Sequence, residues 1–190
     1  MSLLIIKDNV VDEAIFKLAH EEVNKGIWEF KNKSHDEDLN YGWTAFSYQE
    51  KINKLITEGR FNESNIMFNL WKNVEERFQV KKIYNQKLGR IHFNAGPPLA
   101  DQTSHKDTYD AYNKDITIVL FLHNEWKIEW GGEFILYDSS HSIITGGAFP
   151  MPNRAVAFPS YLYHKGATVS RISPLMRISV AFQCTHDNDI

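Results

Sequence analysis

The chain has 190 residues, of which 43% are hydrophobic and 24% charged, a balance that excludes intrinsic disorder for the chain as a whole. Its formal net charge of -3 gives no general attraction to a phosphate backbone, so we expect no nucleic-acid partner. Cys184 is the only cysteine, which excludes an internal disulfide framework and a thiolate metal cluster. Any metal must therefore be bound by imidazole and carboxylate groups.

The length is compatible with one domain that spans residues 1–190. Apolar runs are too short for a membrane helix, and the amino-terminal segment lacks the features of a signal peptide. We therefore expect a soluble, cytoplasmic protein with no membrane association.

The first 80 residues predict one short strand followed by helices. Residues 3–6 form the strand, and Asn9 is placed to cap a helix. The apolar stripe of that helix consists of Val11, Ala14, Ile15, Leu18 and Ala19. A short helix is predicted over 49–58 and a longer one over 63–78. The apolar face of the longer helix consists of Met67, Leu70, Trp71, Val74 and Phe78.

After residue 80 the pattern changes to short apolar or alternating runs separated by turn formers, which is typical of an all-β sandwich or barrel. The predicted strands are 88–94, 116–122, 133–137, 155–158 and 177–182. Gly146-Gly147 is among the predicted turns. The chain therefore predicts an α+β protein, with helical support over about 1–80 packed outside a β core over about 81–184.

A candidate metal site begins with His105 and Asp107, which are two residues apart. If the backbone is extended, both side chains project from the same face. The best candidate for a third ligand is His164, which follows a predicted strand 59 residues after His105. Two histidines and one carboxylate on one face of an ion leave three positions open, an arrangement associated with iron(II) oxygenases. Zinc is the main competitor, because the same ligands suit it.

The last predicted strand places Arg177, Ser179 and Ala181 on one face, opposite apolar residues on the other face. A guanidinium on such a strand needs an anionic partner, because burying it unpaired is costly. The partner is either an Asp or Glu of the protein or the carboxylate of a ligand, which a planar guanidinium can bind in a bidentate manner.

The combined order of these motifs resembles the 2-oxoglutarate-dependent iron(II) dioxygenases, most closely their prolyl-hydroxylase-like branch. The resemblance covers roughly 80–183. It rests on HKD (105–107), NEWKIEWGGEFILY (124–137), PNRAVAFPS (152–160), His164 and RIS (177–179).

The resemblance implies a double-stranded β-helix, also described as a jelly-roll or cupin-like core, with supporting amino-terminal helices. It implies that His105, Asp107 and His164 are the catalytic metal ligands, and that Arg177 with Ser179 binds the distal carboxylate of 2-oxoglutarate. The implied cofactors are Fe(II), 2-oxoglutarate as co-substrate and O2, with ascorbate as a further candidate. The implied reaction is hydroxylation of an unactivated C–H bond in a prolyl peptide or a small amino-acid-like substrate.

The sequence departs from this family at tyrosines that some prolyl-hydroxylase-like members place near the co-substrate. Phe93 and Leu120 stand at about those places, so His92 and His123 are candidates to assist Arg177. Two other functions stay open on the same residues. One is a non-catalytic metal or small-molecule binding module, and the other is a zinc-dependent hydrolase or isomerase, which would not need Arg177.

Overall fold

The computed structural model of the protein describes residues 3–25, 28–32, 42–110 and 114–186. Three α-helices lie in the first half: α1 (Glu13–Lys25), α2 (Phe46–Thr57) and α3 (Ile66–Phe78). A π-helical turn, Val80–Tyr84, follows α3, and a 3-10 turn occurs at Ile128–Trp130. The strands are β1 (Ile5–Lys7), β2 (Glu29–Asn32), β3 (Gly42–Thr44), β4 (Gln86–Gly96), β5 (Ile116–Phe121), β6 (Phe134–Tyr137), β7 (Ile144–Ala148), β8 (Ala155–Pro159), β9 (His164–Gly166) and β10 (Arg177–His186).

The strands form two sheets. The larger sheet has seven strands in the order β1-β8-β5-β10-β4-β3-β2, and the smaller has three in the order β7-β6-β9. The pairs between named strands are antiparallel. Apolar residues of both sheets meet in one buried cluster, so the sheets face each other as two layers. The cluster includes Val119, Phe121, Phe134, Leu136, Val156, Phe158 and Ala181.

The helices cover the other face of the larger sheet. Residues of α1, α2 and α3 share a second buried cluster with alternate residues of β4, β5 and β10. On β10, Ile178, Val180 and Phe182 face the helices, and Trp71 of α3 contacts Phe182 with ring centroids 5.4 Å apart. The opposite face of β10 is thereby turned toward the smaller sheet. The predicted α+β arrangement and the predicted two faces of this strand are confirmed.

The prediction for α3 agrees closely with the structure. The helix begins at Ile66, one residue after Asn65, whose side chain accepts a hydrogen bond from the Met67 amide and so caps the helix. The predicted apolar face is the buried face.

The prediction for α1 is wrong in its start and in part of its face. Asn9 has a φ of 50° and does not cap the helix, which begins at Glu13. The buried side chains are Phe16, Ala19 and Val23, whereas Leu18 is 54% exposed. Remote residues cause the shift, because the backbone between Asn9 and the helix bonds to side chains of Asn73 and Asn153.

Gly146-Gly147 was predicted to form a turn, but it lies inside β7. Gly146 packs beneath Leu4, since a Cβ at Gly146 would lie 2.9 Å from the Leu4 Cδ2 atom. Glycines hide the period of two that identifies a strand, so no local pattern marks this element. Within the described residues, no helix has the length and apolar character that crossing a membrane requires. The assignment of the whole chain to one domain stays a prediction.

Candidate metal centre

His105 and His164 are neighbours in space because their backbones pair. The His105 amide donates to the His164 carbonyl at 3.0 Å, and the His164 amide donates to the His105 carbonyl at 2.9 Å. Two residues further along, the Asp107 amide donates to the Ser160 carbonyl at 3.0 Å. The segment around His105 thus adds to the free edge of β9, next to His164. This backbone pairing brings together two histidines that are 59 residues apart in the sequence.

The three predicted ligands form one cluster. Each offers a nitrogen or oxygen atom that lies within 4.8 Å of the others, which makes the group able to hold a metal ion. His105 Nε2 lies 3.9 Å from Asp107 Oδ1, and His164 Nε2 lies 3.8 Å from Asp107 Oδ2. Two imidazoles and one carboxylate of this kind suit iron(II) in a site with open positions, and also suit zinc.

Hydrogen bonds to the far sides of these ligands orient them. His105 Nδ1 lies 3.3 Å from the Thr103 carbonyl, and His164 Nδ1 lies 3.1 Å from the Leu162 carbonyl. Because these carbonyls accept from Nδ1, the lone pair of each ring remains on Nε2, which faces Asp107. Asp107 Oδ2 itself accepts a hydrogen bond of 2.5 Å from Thr117 Oγ1.

The electrostatics of the cluster favour the forms that bind metal. Burial lowers the pKa of His164 to about 4, so its imidazole is neutral at pH 7. Burial works to raise the pKa of Asp107, but His164, His105 and the hydrogen bond from Thr117 together bring it below its ordinary value. A neutral imidazole and an ionised carboxylate are the protonation states that metal coordination requires.

Arg177 lies in the same interior, with only 5% of its surface exposed. Its Nη1 donates to the Gly132 carbonyl at 3.0 Å and its Nη2 donates to Gln102 Oε1 at 2.7 Å. Its Nε is buried and has no hydrogen-bond partner. Burial lowers the pKa of Arg177 to about 10, with Glu133 opposing the shift, so the guanidinium is still charged at pH 7.

The alternative that a protein carboxylate pairs with Arg177 is not supported. No Asp or Glu among residues 3–25, 28–32, 42–110 and 114–186 lies within 4.0 Å of the Arg177 guanidinium nitrogens as an ion-pair partner. A buried cation whose hydrogen bonds go only to neutral oxygens is a good binding site for the carboxylate of a ligand.

Strand register places Arg177 on the face that carries the metal cluster. Alternate residues of β10 share this face, and Gln183 lies opposite Thr117, which bonds to Asp107. Ser179 is buried and lies on this face of β10 between Arg177 and Gln183, opposite Phe121 and Asn94 on the neighbouring strands. A molecule that reaches from the cluster to Arg177 would therefore pass Ser179.

His92 and His123 differ in their position relative to this site. His92 lies on β4 opposite Ala181, and burial lowers its pKa to about 4, with further effects from Arg90, Asp107 and His105. His123 is buried against Trp126, with ring centroids 4.4 Å apart, and its Nε2 bonds to the Pro150 carbonyl. His92 therefore adjoins the metal cluster, whereas His123 is engaged in packing.

Gln102 is a site residue that the sequence did not reveal. It lies between β4 and His105 and contacts both Arg177 and the Gly166 amide. Both contacts join residues more than 60 positions apart in the chain, so no local motif marks them.

The geometry of this site agrees with a family match over the β core. The family model for the 2OG-Fe(II) oxygenase superfamily matches residues 92–183, which include the His105, Asp107, His164 and Arg177 positions. This segment, the β core of the chain, belongs to the 2OG-Fe(II) oxygenase superfamily. Its enzymes are dioxygenases that use Fe(II), 2-oxoglutarate and O2. No curated protein matches this chain in sequence.

Solved structures show which fold the oxygenase shares. It is similar to a prolyl-4-hydroxylase from Pseudomonas putida, with a TM-score of 0.60 and 13% identity over 99% of this chain and 95% of that one. It is also similar to a prolyl hydroxylase from Trichoplax adhaerens, with a TM-score of 0.68 and 13% identity over 97% of this chain and 84% of that one. A 2OG-Fe(II) oxygenase family protein from Burkholderia pseudomallei matches with a TM-score of 0.60 and 12% identity over 98% and 85% of the two chains.

At these identities the likeness establishes the fold. The predicted double-stranded β-helix core of the prolyl-hydroxylase-like type is confirmed. The roles of the individual site residues of this oxygenase, and its substrate, are taken up as proposals below.

Proposed function

We propose that the chain hydroxylates an unactivated C–H bond of a prolyl peptide or of a small amino-acid-like molecule. In this proposal His105, Asp107 and His164 bind iron(II), and Arg177 with Ser179 binds the distal carboxylate of 2-oxoglutarate. The observation that carries the proposal is that the same interior contains the His-Asp-His cluster and a buried guanidinium, and the guanidinium has no carboxylate partner among the described residues.

The donor set fits an iron(II) ion and its co-substrate. Three protein ligands leave room for a bidentate keto acid and for O2, and the two Nε2 atoms and the Asp107 carboxylate face one another. When bound, iron(II) with 2-oxoglutarate supplies oxidation of a C–H bond by O2, with release of succinate and CO2. Zinc supplies no such redox chemistry, and hydrolysis or isomerisation at a zinc ion does not in itself require a buried carboxylate-binding arginine.

The residues of the chain would contribute binding, orientation and exclusion of water. Carbonyls of Thr103 and Leu162 fix the two imidazole rings, and Thr117 fixes the carboxylate of Asp107. Arg177 would hold the far end of the co-substrate in an apolar interior, where a charged hydrogen bond is stronger than in water. This interior is walled by Phe121, Phe134 and Phe158, which are buried side chains of the cluster between the sheets.

The substrate class rests on similarity of fold. The Pseudomonas putida neighbour is a prolyl-4-hydroxylase, and the Trichoplax adhaerens enzyme was solved in complex with a peptide fragment of hypoxia inducible factor. Similarity to both proteins favours a prolyl substrate for this chain, either within a peptide or as a related small molecule. The same reasoning makes a peptide or small molecule, and not a nucleic acid, the expected partner.

A substrate screen tests the proposal. The purified chain is supplied with 2-oxoglutarate, O2 and either iron(II) or zinc, together with proline-containing peptides, free L-proline and other amino acids. We expect succinate formation with iron and not with zinc, raised above the substrate-free background by at least one proline-containing compound. Parallel iron reactions with and without added ascorbate test the predicted use of that reductant.

Succinate formation that depends on iron would exclude a non-catalytic binding module. Hydrolytic or isomerase turnover supported by zinc, without any use of 2-oxoglutarate, would contradict the proposal.

A further inference from the structure

Gln102 makes two hydrogen bonds through a single oxygen. Its Oε1 accepts from Arg177 Nη2 at 2.7 Å and from the Gly166 amide at 3.2 Å. An amide oxygen has two lone pairs, so these bonds use both of them. The carboxamide is therefore fixed in orientation, and its Nε2 group, which can only donate, is turned away from these two partners.

The Nε2 group of Gln102 lies beside Gly96, where Arg177 also presents donors. A Cβ placed on Gly96 would lie 3.6 Å from Gln102 Nε2, 3.7 Å from Arg177 Nη2 and 3.9 Å from Arg177 Nε. Three nitrogens thus lie within 4 Å of one point, and Arg177 Nε among them is buried without a partner. Because a buried donor without a partner is costly, this space favours an acceptor with several lone pairs, such as a carboxylate.

The segment that carries Gln102 is held in place by contacts that do not involve Arg177. The Leu99 amide donates to the Val169 carbonyl at 2.9 Å, and the Thr168 hydroxyl bonds to the Asp101 carboxylate. Gln102 therefore lies on a fixed wall next to β9.

We propose that Gln102 is a positioning residue for 2-oxoglutarate. Its oxygen orients the Arg177 guanidinium, and its Nε2 donates, together with Arg177 Nε and Nη2, to the distal carboxylate of the co-substrate. The inference rests on the proposed function, since it assigns a further contact to the same co-substrate. Phe93 and Leu120, which stand at about the places of the family's tyrosines, pack in the cluster that faces the helices, so neither side chain lies on this face of the sheet.

Direct binding separates this role from a merely structural one. The full chain is loaded with Mn(II), which is redox-silent, and titrated anaerobically with 2-oxoglutarate and with 2-oxopentanoate, a keto acid without the distal carboxylate. If 2-oxopentanoate binds weakly, its affinity is measured by its competition with 2-oxoglutarate. The readout is the ratio of the two affinities, because a contact with the distal carboxylate affects only 2-oxoglutarate.

Gln102→Met keeps the length of the side chain and removes its donor and acceptor. We expect it to lower the affinity ratio at least roughly tenfold, as for the loss of a hydrogen bond to a charged group. Asp101→Ala is the matched control, because it removes a side-chain contact of the same segment without touching Arg177, and the bond from the Leu99 amide to the Val169 carbonyl still holds the segment in place. It should leave the ratio unchanged.

Gly96→Ala is the second variant, because its added methyl would stand among the three nitrogens. The distances of 3.6–3.9 Å are ordinary contacts, so the protein accommodates the methyl while the carboxylate loses its space. We expect weaker 2-oxoglutarate binding with unchanged Mn(II) affinity and thermal stability.

Three results would overturn the inference. Gln102→Met could leave both affinities unchanged, or could weaken both keto acids equally, and Gly96→Ala could bind 2-oxoglutarate like the wild type. If the wild type itself showed no metal-dependent binding of 2-oxoglutarate, the proposed function would fail first and the role of Gln102 with it.

Discussion

The guanidinium of Arg177 lies directly over the backbone of Gly166. A Cβ at Gly166 would fall 1.8 Å from Arg177 Nη1 and 2.1 Å from Nη2, distances at which no side chain can exist. Gly166 follows His164 by two residues on β9, so the Cα atoms of these residues are about 7 Å apart on one face of the strand. One short strand therefore carries both a candidate metal ligand and the surface that receives the arginine.

We predict that Gly166→Ala displaces Arg177 and abolishes 2-oxoglutarate binding. Overpacking of a buried site costs about 1–3 kcal/mol in the free energy of unfolding. Urea unfolding and calorimetric titration with 2-oxoglutarate measure the two effects. In an Arg177→Ala background the clash is absent, so adding Gly166→Ala should cost much less stability. Additive stability losses in the double variant would show that Arg177 is not the group displaced.

We also predict that Asp107→Ala or His164→Ala prevents iron binding and abolishes iron-dependent turnover. Each change removes one of three ligands from a cluster whose atoms lie within 4.8 Å of one another. The metal content of protein loaded anaerobically with Fe(II) measures the first effect, and succinate formation measures the second. His20→Ala, a partly buried histidine of α1 outside the cluster, is the control. Either variant with wild-type metal content would disprove the assignment of its residue.

The sequence predicted those parts of the fold and site whose signal is local. The faces of β10 follow from a period of two, since Ile178 and Val180 pack on the helices while Arg177 and Ser179 face inward. The three candidate ligands were recognisable because few residue types bind iron, and their order resembles a known family.

The rest depends on contacts that a local pattern does not contain. The start of α1 is set by Asn73 and Asn153, which lie 61 and 142 residues from their partners. Gln102 is positioned by hydrogen bonds to Gly166 and Arg177, which are 64 and 75 residues away. Such residues are found only when the strands have been assembled, because propensity and periodicity describe near neighbours alone.

Thr117 provides a test of the support around Asp107. We predict that Thr117→Val, which has nearly the same shape, weakens metal binding roughly 10–100-fold, the usual cost of losing a hydrogen bond to a ligand. The hydroxyl of Thr117 donates to Asp107 Oδ2 at 2.5 Å and also contacts Ser160 Oγ at 2.9 Å. Competition with a chelator of known affinity measures the change. Thr117→Ser restores the hydroxyl and should recover most of the affinity, whereas a Thr117→Val protein with unchanged affinity would contradict the role.

Finally, the buried histidines predict that the metal-free protein loses stability as the pH falls from 6.5 toward 4. Burial lowers the pKa of His123 from 6.5 to about 4 in the folded state. Between these values the unfolded chain binds a proton that the folded chain does not, so acid favours unfolding. The expected contribution is up to about 1.4 kcal/mol per pH unit for this one group.

Urea unfolding of metal-free wild type and His123→Gln at several pH values measures the slope. The variant loses packing against Trp126 and is expected to be less stable at every pH, but its free energy of unfolding should fall less steeply below pH 6.5. His123 is not a candidate metal ligand, so residual metal does not affect the comparison. Parallel curves for the two proteins would show that His123 titrates in the folded state much as it does in the unfolded chain, contrary to its burial.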